Sequence, residues 1–540
     1  MTHQKWRLLM HGVATPALRL VPILALMLVG AGAPAQSQAA SPLAADAPAP
    51  HQPAPVVQTD KGRVRGVVEA NGVLGYKGIP YAADPAGVNR FLPPKPPRAW
   101  NHELDASSLG PACPQNSTII GDRPQAEDCL RVSVWTTSLT GKRPVVVWLH
   151  GGAYTIGSDD YSAEGVNGAF AAKPGDYVFV SLTHRLNVLG FLQLGPQFGP
   201  QYASSGNVGL LDIVAALTWV KMNIAKFGGD PDNVTIAGPS GGGSRVMYLM
   251  ATPQAQGLFH RGIVFVGGGL LGRNPKEAAL RSGAAVLGAL GVAPGDIRKL
   301  QSLPVDALVK APSAATQPCP PESNRSGPCR PTGVNVSAVI DGRIVPEHPI
   351  DAIAGGASRN IDLIIAVDQW THWSPERLLP DSTLYGRMSW TDLAQALQPT
   401  LGERTDHVIA QYRELMPGAS PSSLAARILT IRNWWIPALR LAEAKAKGGN
   451  PGRVVFDSVS AGSHSFFFGT NLPKPFAHAL LGQVQGAYAA FARTGDPNYP
   501  GIPAWPVYTP QSRDVLMLDY NVHVAQDPFR AERLIWEDLR

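Results

Sequence analysis

The sequence predicts an α/β protein with one large, mostly parallel central sheet, helices on both faces and insertions that form a pocket. Three observations carry this. Short apolar runs such as Pro144–Leu149 (PVVVWL) and Tyr177–Leu182 (YVFVSL) recur between turn signals, as strands buried on both faces do. A stretch with apolar residues at helical spacing, Leu211 to Ala225, follows them, and alternating strands and helices build parallel sheets. A serine sits among glycines directly after another strand, in TIAGPSGGGSR, Thr235 to Arg245.

Of the 540 residues, 44% are hydrophobic and 16% charged, the balance of a folded globular chain and too apolar for disorder. Residues 1–39 read as an export signal. Lys5, Arg7 and Arg19 are basic, Leu20–Val29 is an apolar run, and Ala33-Pro34-Ala35 or Ser37-Gln38-Ala39 offers a cleavage site. The run is shorter than the roughly 20 residues of a bilayer span, so the expectation is a periplasmic or secreted protein without a stable membrane anchor. Residues 40–56, rich in Ala and Pro, read as a disordered lead-in, and 57–540 as a single domain. The formal charge is +6, and loss of the three basic signal residues leaves it near +3. Without a Lys/Arg run this gives no support for a nucleic-acid partner; it permits an anionic substrate without requiring one. No feature sets the oligomeric state.

Four cysteines fit an oxidising compartment. Their spacing suggests Cys113 with Cys129 and Cys319 with Cys329, although four cysteines allow three connectivities. Metal ligation is disfavoured, since no C-x-x-C or matched histidine spacing is present. Neither a metal nor an organic cofactor is expected.

Taken in order, the strand Pro144–Leu149 leads into His150-Gly151-Gly152, and Tyr177–Leu182 into Thr183-His184-Arg185-Leu186. The following helix places Leu211, Val214, Ala215, Trp219 and Met222 at helical spacing. The turn Phe227-Gly228-Gly229-Asp230-Pro231, the strand Asn233–Ala237, the serine turn, a helix over Arg245–Ala251 and the strand His260–Val266 come next. Residues 274–345 are less regular and carry the second cysteine pair. Asp362–Val367 (DLIIAV) and Val454–Val459 (VVFDSV) return as strands, with helical segments between them around Asn433–Pro437. Strands spread from about 144 to 459 favour one large domain over two.

Gly238, Ser240 and Gly242 spell G-x-S-x-G. In a chain with 56 glycines the pattern alone is weak; its setting gives it weight. A nucleophile elbow needs a strand before the serine, a helix after it, and small residues two positions to either side. Those residues let strand and helix approach while the serine takes a strained backbone. Acyl transfer also needs donors aimed at the developing oxyanion. Gly241, next to the serine, supplies one, and Gly151 and Gly152 lie in a Gly-rich loop after an earlier strand.

Further motifs share this order: GIPYAADPAGVNRF at Gly78–Phe91, AEDCL at Ala126–Leu130, HRLNVLGFL at His184–Leu192, the run Gly206–Gly238, FARTGDPN at Phe491–Asn498 and AWPVY at Ala504–Tyr508. With them the chain resembles the type-B carboxylesterases, the cholinesterase-like branch of the α/β-hydrolase fold, from about residue 60 to the C-terminus. The resemblance implies ester hydrolysis on that fold. It also implies a Cys113–Cys129 disulfide, a second short-loop disulfide near Cys319–Cys329, and a triad in the order serine, acid, histidine.

Ser240 is then the nucleophile. Thirteen histidines are present, and His407, His464, His478 and His523 lie far enough downstream to serve as base. His464, in SAGSHSFFFG after the strand VVFDSV, corresponds to the family's histidine loop, whereas His478 in PFAHALL reads as a helix face. The family's glutamate position holds Thr371 in an ungapped match and Gln369 in a gapped one, and neither carries charge. Asp368, immediately after DLIIAV, is the favoured acid and Glu376 the alternative; the non-catalytic reading of Asp368 is a loop cap. Pro239 replaces the usual glutamate before the serine and Gly241 the usual alanine. Val266-Gly267-Gly268 replaces Gln-Ser-Gly, and Thr183-His184 replaces Asn-Tyr, with His184 read as a core histidine.

The expected function is a serine carboxylic ester hydrolase acting through an acyl-enzyme on a small-molecule ester. The alternatives are a cholinesterase-like binding protein with impaired catalysis, or an amidase or acyltransferase on the same fold. Trp434 and Trp435 are read as core before pocket. The family includes an exported bacterial member that releases tricarballylate from the mycotoxin fumonisin; such a substrate would call for cationic side chains around Ser240.

Overall fold

In the computed structural model the described residues are 52–540 other than 118–119, 161–165, 266–271, 317–332, 369–385, 459–464, 469–474, 520 and 538–540. Thirteen strands among them form one sheet. They are β1 Pro53–Gln58, β2 Arg63–Val68, β3 Leu74–Pro80, β4 Glu103–Asp105, β5 Arg131–Thr136, β6 Arg143–Trp148 and β7 Val178–Leu182. β8 Gly229–Pro239, β9 Arg261–Phe265, β10 Asp362–Asp368, β11 Arg453–Asp457, β12 Asp514–Leu518 and β13 His523–Gln526 complete it. Their order is β1-β2-β3-β5-β7-β6-β8-β9-β10-β11-β12-β13, with β4 paired to β2. From β7 through β12 every neighbouring pair is parallel. The flanking pairs β1–β2, β2–β3, β3–β5, β5–β7 and β12–β13 are antiparallel.

The mostly parallel sheet agrees with the sequence reading, but its extent does not. The sheet runs well beyond residues 144 and 459, and β1 starts inside the stretch assigned to the lead-in. The outer strands give no continuous apolar signal because much of their length faces water: β1 is Pro-Ala-Pro-Val-Val-Gln, with only Ala54 and Val57 buried. Prolines at 53 and 55 suit an edge strand, where a missing N–H breaks no interior ladder. β8 also starts earlier than expected, at Gly229, so the Gly-Asp-Pro-Asp turn signal is absorbed into the strand.

The central strands are buried on both sides. Alternation sends Val145 and Val147 of β6 into one core and Val146 and Trp148 into the other, all at 0% exposure. The first core is covered by α3 (Val208–Asn223), through Leu210, Ile213, Leu217 and Val220, and by α4 (Gly241–Met250), through Val246 and Leu249. The second is covered by α1 (Gly168–Gly175) and the long helix Pro475–Thr494, through Ala171, Val484 and Phe491. A short α2 (Asn187–Phe191) links β7 to α3. Among the described residues one segment is long and apolar enough to cross a membrane, Pro200–Phe227; it contains α3, whose Leu210, Ile213, Leu217 and Val220 are buried in the first core while Met222 is exposed. The described part of 274–345 is more regular than expected, with helices Lys276–Ala289, Ile297–Ser302 and Val305–Ala315. Trp435 is core, as anticipated, edge-on to Phe456 at 5.4 Å and Phe529 at 5.6 Å.

A buried ion pair ties α3 to the segment after β7. Arg185 donates from Nε (2.8 Å) and Nη2 (2.6 Å) to the two oxygens of Asp212, which also accepts the Arg185 backbone N–H. Removing one partner strands the other charge away from water. Asp212→Asn is therefore expected to lower stability by about 3–5 kcal/mol, seen as a lower urea midpoint with an unchanged m value.

Strand β6 lies between β7 and β8, so the sheet order reverses beside it. In open parallel sheets such a reversal leaves a crevice at the carboxyl ends of the strands. The loops leaving β6 and β8 meet there.

Candidate active site

Ser240 stands between β8 and α4 with φ 50° and ψ −117°, a backbone that side-chain-bearing residues rarely adopt. Hydrogen bonds hold it from both sides. Its N–H donates to the Phe265 carbonyl at the end of β9 (2.9 Å), and its carbonyl accepts from Ser244 N–H (3.0 Å). Gly238 and Gly242 are required by contact: a Cβ at either would overlap the Leu149 carbonyl at the end of β6. Pro239 ends β8 in register with Phe265, and its ring fixes φ just before the strained residue. This is the strand–serine–helix turn that the sequence predicts.

The loop after β6 lies directly on the first turn of α4. A Cβ on Gly241 would overlap the Ala153 carbonyl and come 2.7 Å from its Cα, which accounts for glycine where the family pattern has alanine. Gly152 and Ala153 both have positive φ, 81° and 56°. Each carbonyl from 150 to 153 is engaged on the protein side. His150 O accepts from Arg245 Nη1 (2.9 Å) and Ala153 O from Arg245 Nη2 (2.6 Å). Gly151 O accepts from His150 Nδ1 (2.9 Å), and Gly152 O from the N–H groups of Thr155 and Ile156. In a trans peptide the N–H points opposite to the carbonyl. Tying back these carbonyls aims the amides of Gly151, Gly152 and Ala153 away from them. Gly241 N–H, at the first position of α4, has no intrahelical acceptor and lies at the positive end of the helix dipole.

Several side chains fix this loop. Tyr154 Oη meets Ser244 Oγ at 2.9 Å, and Tyr154 O accepts from Asn187 N–H at 2.7 Å. Gln115 brackets Gly157, donating to its carbonyl (2.8 Å) and accepting from its N–H (2.9 Å). Gln115 follows Cys113, which forms a disulfide with Cys129, so one expected bridge buttresses the loop. Cys319 and Cys329 lie outside the described residues.

His150 and His184 stack face to face, 4.7 Å between centroids and 4° between planes. Each Nδ1 meets a backbone carbonyl, which can only accept, so both rings carry the proton on Nδ1. Burial, followed by the charge of Arg245, pushes His150 down to about 3 and His184 well below the usual histidine range. Both rings are neutral near pH 7. His184 is the buried histidine the sequence suggested, although its Nε2 has no hydrogen-bond partner among the described residues.

Asp368 ends β10 in register with Asp457 of β11. Alternation points both carboxylates toward the core face that holds Tyr488, and the three are 5%, 0% and 3% exposed. Burial first, then the charges of Asp457 and Asp368, raises the Tyr488 hydroxyl far above its ordinary value. Asp368 therefore lies at the carboxyl edge of the sheet, two strands from β8. His464, Glu376, Thr371 and Gln369 lie outside the described residues. The residue after His464 is described: Ser465 is buried, and Phe468 packs edge-on against Trp148, the last residue of β6, at 4.9 Å. His478 falls in the helix Pro475–Thr494.

The structure thus packs the loop that carries Gly151 and Gly152 onto the turn of Ser240 and Gly241, through Ala153 on Gly241 and the Leu149 and His150 carbonyls on Gly242, and places Asp368 at the carboxyl edge of the same sheet. Sequence reasoning missed Ala153, Tyr154, Gln115 and Arg245. For Arg245 a signal existed, since it is the one charge in the α4 sequence GGGSRVMYLM. Among the described residues, no group of His, Cys, Asp and Glu could hold a metal ion.

Comparison with known proteins agrees with this fold. Residues 53–536 match the model of the Carboxylesterase family. The chain is 34% identical to the para-nitrobenzyl esterase of Bacillus subtilis (strain 168), covering 88% of this chain and 97% of that protein. It is 30% identical to the phenmedipham hydrolase of Pseudarthrobacter oxydans, covering 89% and 98%. The crystal structure of a Geobacillus stearothermophilus carboxylesterase superposes with a TM-score of 0.76 at 36% identity, covering 89% of this chain and 99% of that one.

Proposed function

The chain belongs to the carboxylesterase family and is a carboxylic ester hydrolase, and from that premise we propose that it works through an acyl-enzyme on Ser240. His464 takes the Ser240 proton as Oγ bonds to the ester carbonyl carbon. The N–H groups of Gly151, Gly152 and Gly241, joined by Ala153, hold the resulting oxyanion. The C–O bond to the alcohol then breaks, and the alcohol leaves with the proton held by His464. Water repeats the sequence on the acyl group, releasing the acid and restoring Ser240. Asp368 is the acid that orients His464 and steadies its charged form, with Glu376 as the alternative.

The observation that carries this reading is the strained Ser240 at the start of α4, with the loop after β6 packed on that first turn and each of its carbonyls from 150 to 153 held by a protein donor. An organophosphonate probe tests it. The wild-type protein should gain one phosphonyl group on the peptide containing Ser240, and Ser240→Ala none. A folded wild-type chain that never labels would instead favour a binding protein.

The substrate is a small carboxylic ester. A tricarballylate ester of the fumonisin type is the anionic candidate, and it needs cations facing the pocket. Arg245, near Ser240 in sequence, turns Nη1 and Nη2 to backbone carbonyls. Hydrolysis of neutral aryl esters in preference to tricarballylate esters would remove that candidate, and release of an amine or transfer to an alcohol would indicate the amidase or acyltransferase chemistry. The Cys113–Cys129 disulfide supports export to an oxidising compartment.

A further inference from the structure

Arg245 is fully buried on the helix that begins at Ser240. Its two terminal nitrogens reach the carbonyls at the two ends of the segment 150–153, and its guanidinium lies 4.8 Å from the centroid of the Tyr154 ring. The segment it spans is intrinsically soft. Gly151 and Gly152 have wide backbone freedom, and Ala153 sits at φ 56°, a conformation that costs about 1–3 kcal/mol and persists only where the surroundings impose it.

We propose that Arg245 is a positioning residue that locks the loop carrying the upstream oxyanion donors onto the nucleophile helix, so that amides from two separate elements converge on one point. This rests on the catalytic reading given above. A guanidinium offers donors in a rigid planar fork, able to grip two acceptors at once, which an ammonium cannot do with the same geometry. Each bond fixes a peptide plane: His150 O sets the direction of Gly151 N–H, and Ala153 O keeps Ala153 in its strained state. Without the clamp Ala153 relaxes toward negative φ, and the donors lose alignment with Gly241 N–H. Gly241 completes the fit, since it has no Cβ to push the Ala153 carbonyl away.

The test uses the full-length protein with Arg245→Met and Arg245→Lys. It measures kcat and KM on a short-chain p-nitrophenyl ester, thermal unfolding, and inhibition by a trifluoromethyl ketone, which adds to the serine and leaves an oxyanion. For Arg245→Met, kcat should fall about 10²–10³-fold, as when an oxyanion donor is lost. KM should stay within about threefold, and the ketone should bind more weakly by the same factor as kcat/KM. Arg245→Lys should lie between Met and wild type on both measures. A purely structural role would lower the melting temperature without moving ketone affinity in step with turnover. A folded Met variant with wild-type kcat and ketone affinity would overturn the proposal. If the Met variant does not fold, the Lys variant decides: unchanged kcat and ketone affinity would overturn the clamp, and a parallel loss of about tenfold or more would support it. A wild-type protein that neither turns over ester nor binds the ketone would defeat the catalytic reading itself.

Discussion

Ser240→Ala is expected to lower kcat on an activated ester by a factor on the order of 10⁶, the scale seen when a serine hydrolase loses its nucleophile. The fold should survive. Alanine keeps the Cβ, and the backbone at 240 is held by main-chain bonds to Phe265 and Ser244 rather than by the hydroxyl. The expected signature is lost turnover and lost phosphonate labelling with an unchanged melting temperature. Residual hydrolysis above the uncatalysed rate should remain, because the oxyanion donors and the binding site are intact. Retention of more than a few per cent of wild-type kcat in a carefully purified variant would remove Ser240 from the mechanism.

Asp368→Asn is expected to lower kcat by about 10⁴-fold, with KM nearly unchanged. The amide keeps the shape of the carboxylate but cannot stabilise the imidazolium, and it can hold the imidazole in the wrong tautomer. Asn keeps the size of the side chain, and thermal unfolding measured beside kcat separates lost chemistry from lost fold. Glu376→Gln is the companion measurement. A large loss of kcat there, with Asp368→Asn active, would transfer the role to Glu376.

How much was readable before the fold was known varied by element. The β6 run PVVVWL and the strand leading to Ser240 were legible because strands buried on both faces need apolar residues at every position. The flanking strands were not, because half-exposed antiparallel strands mix polar and apolar residues, as β1 and β2 do. The glycines at 238 and 242 were correctly read as close-approach positions, but what approaches them, the Leu149 carbonyl, was not legible. At Gly241 the sequence offers an oxyanion donor and a departure from alanine; the Ala153 carbonyl above it supplies the cause of the departure.

Local sequence by itself determined the parallel α/β core and the strand–serine–helix turn, and it suggested the proposed glycine donors and the Cys113–Cys129 pair. These depend on residues close together in the chain: periodicity, small flanks, a short disulfide loop. Tertiary structure alone decided what surrounds them. Arg245 and Ala153 are 92 positions apart, and His150 stacks on His184 across two neighbouring parallel strands. Such contacts arise only when separate strands deliver their ends to one edge of the sheet, and the low dielectric there turns an ordinary arginine and two ordinary histidines into fixed parts of a site.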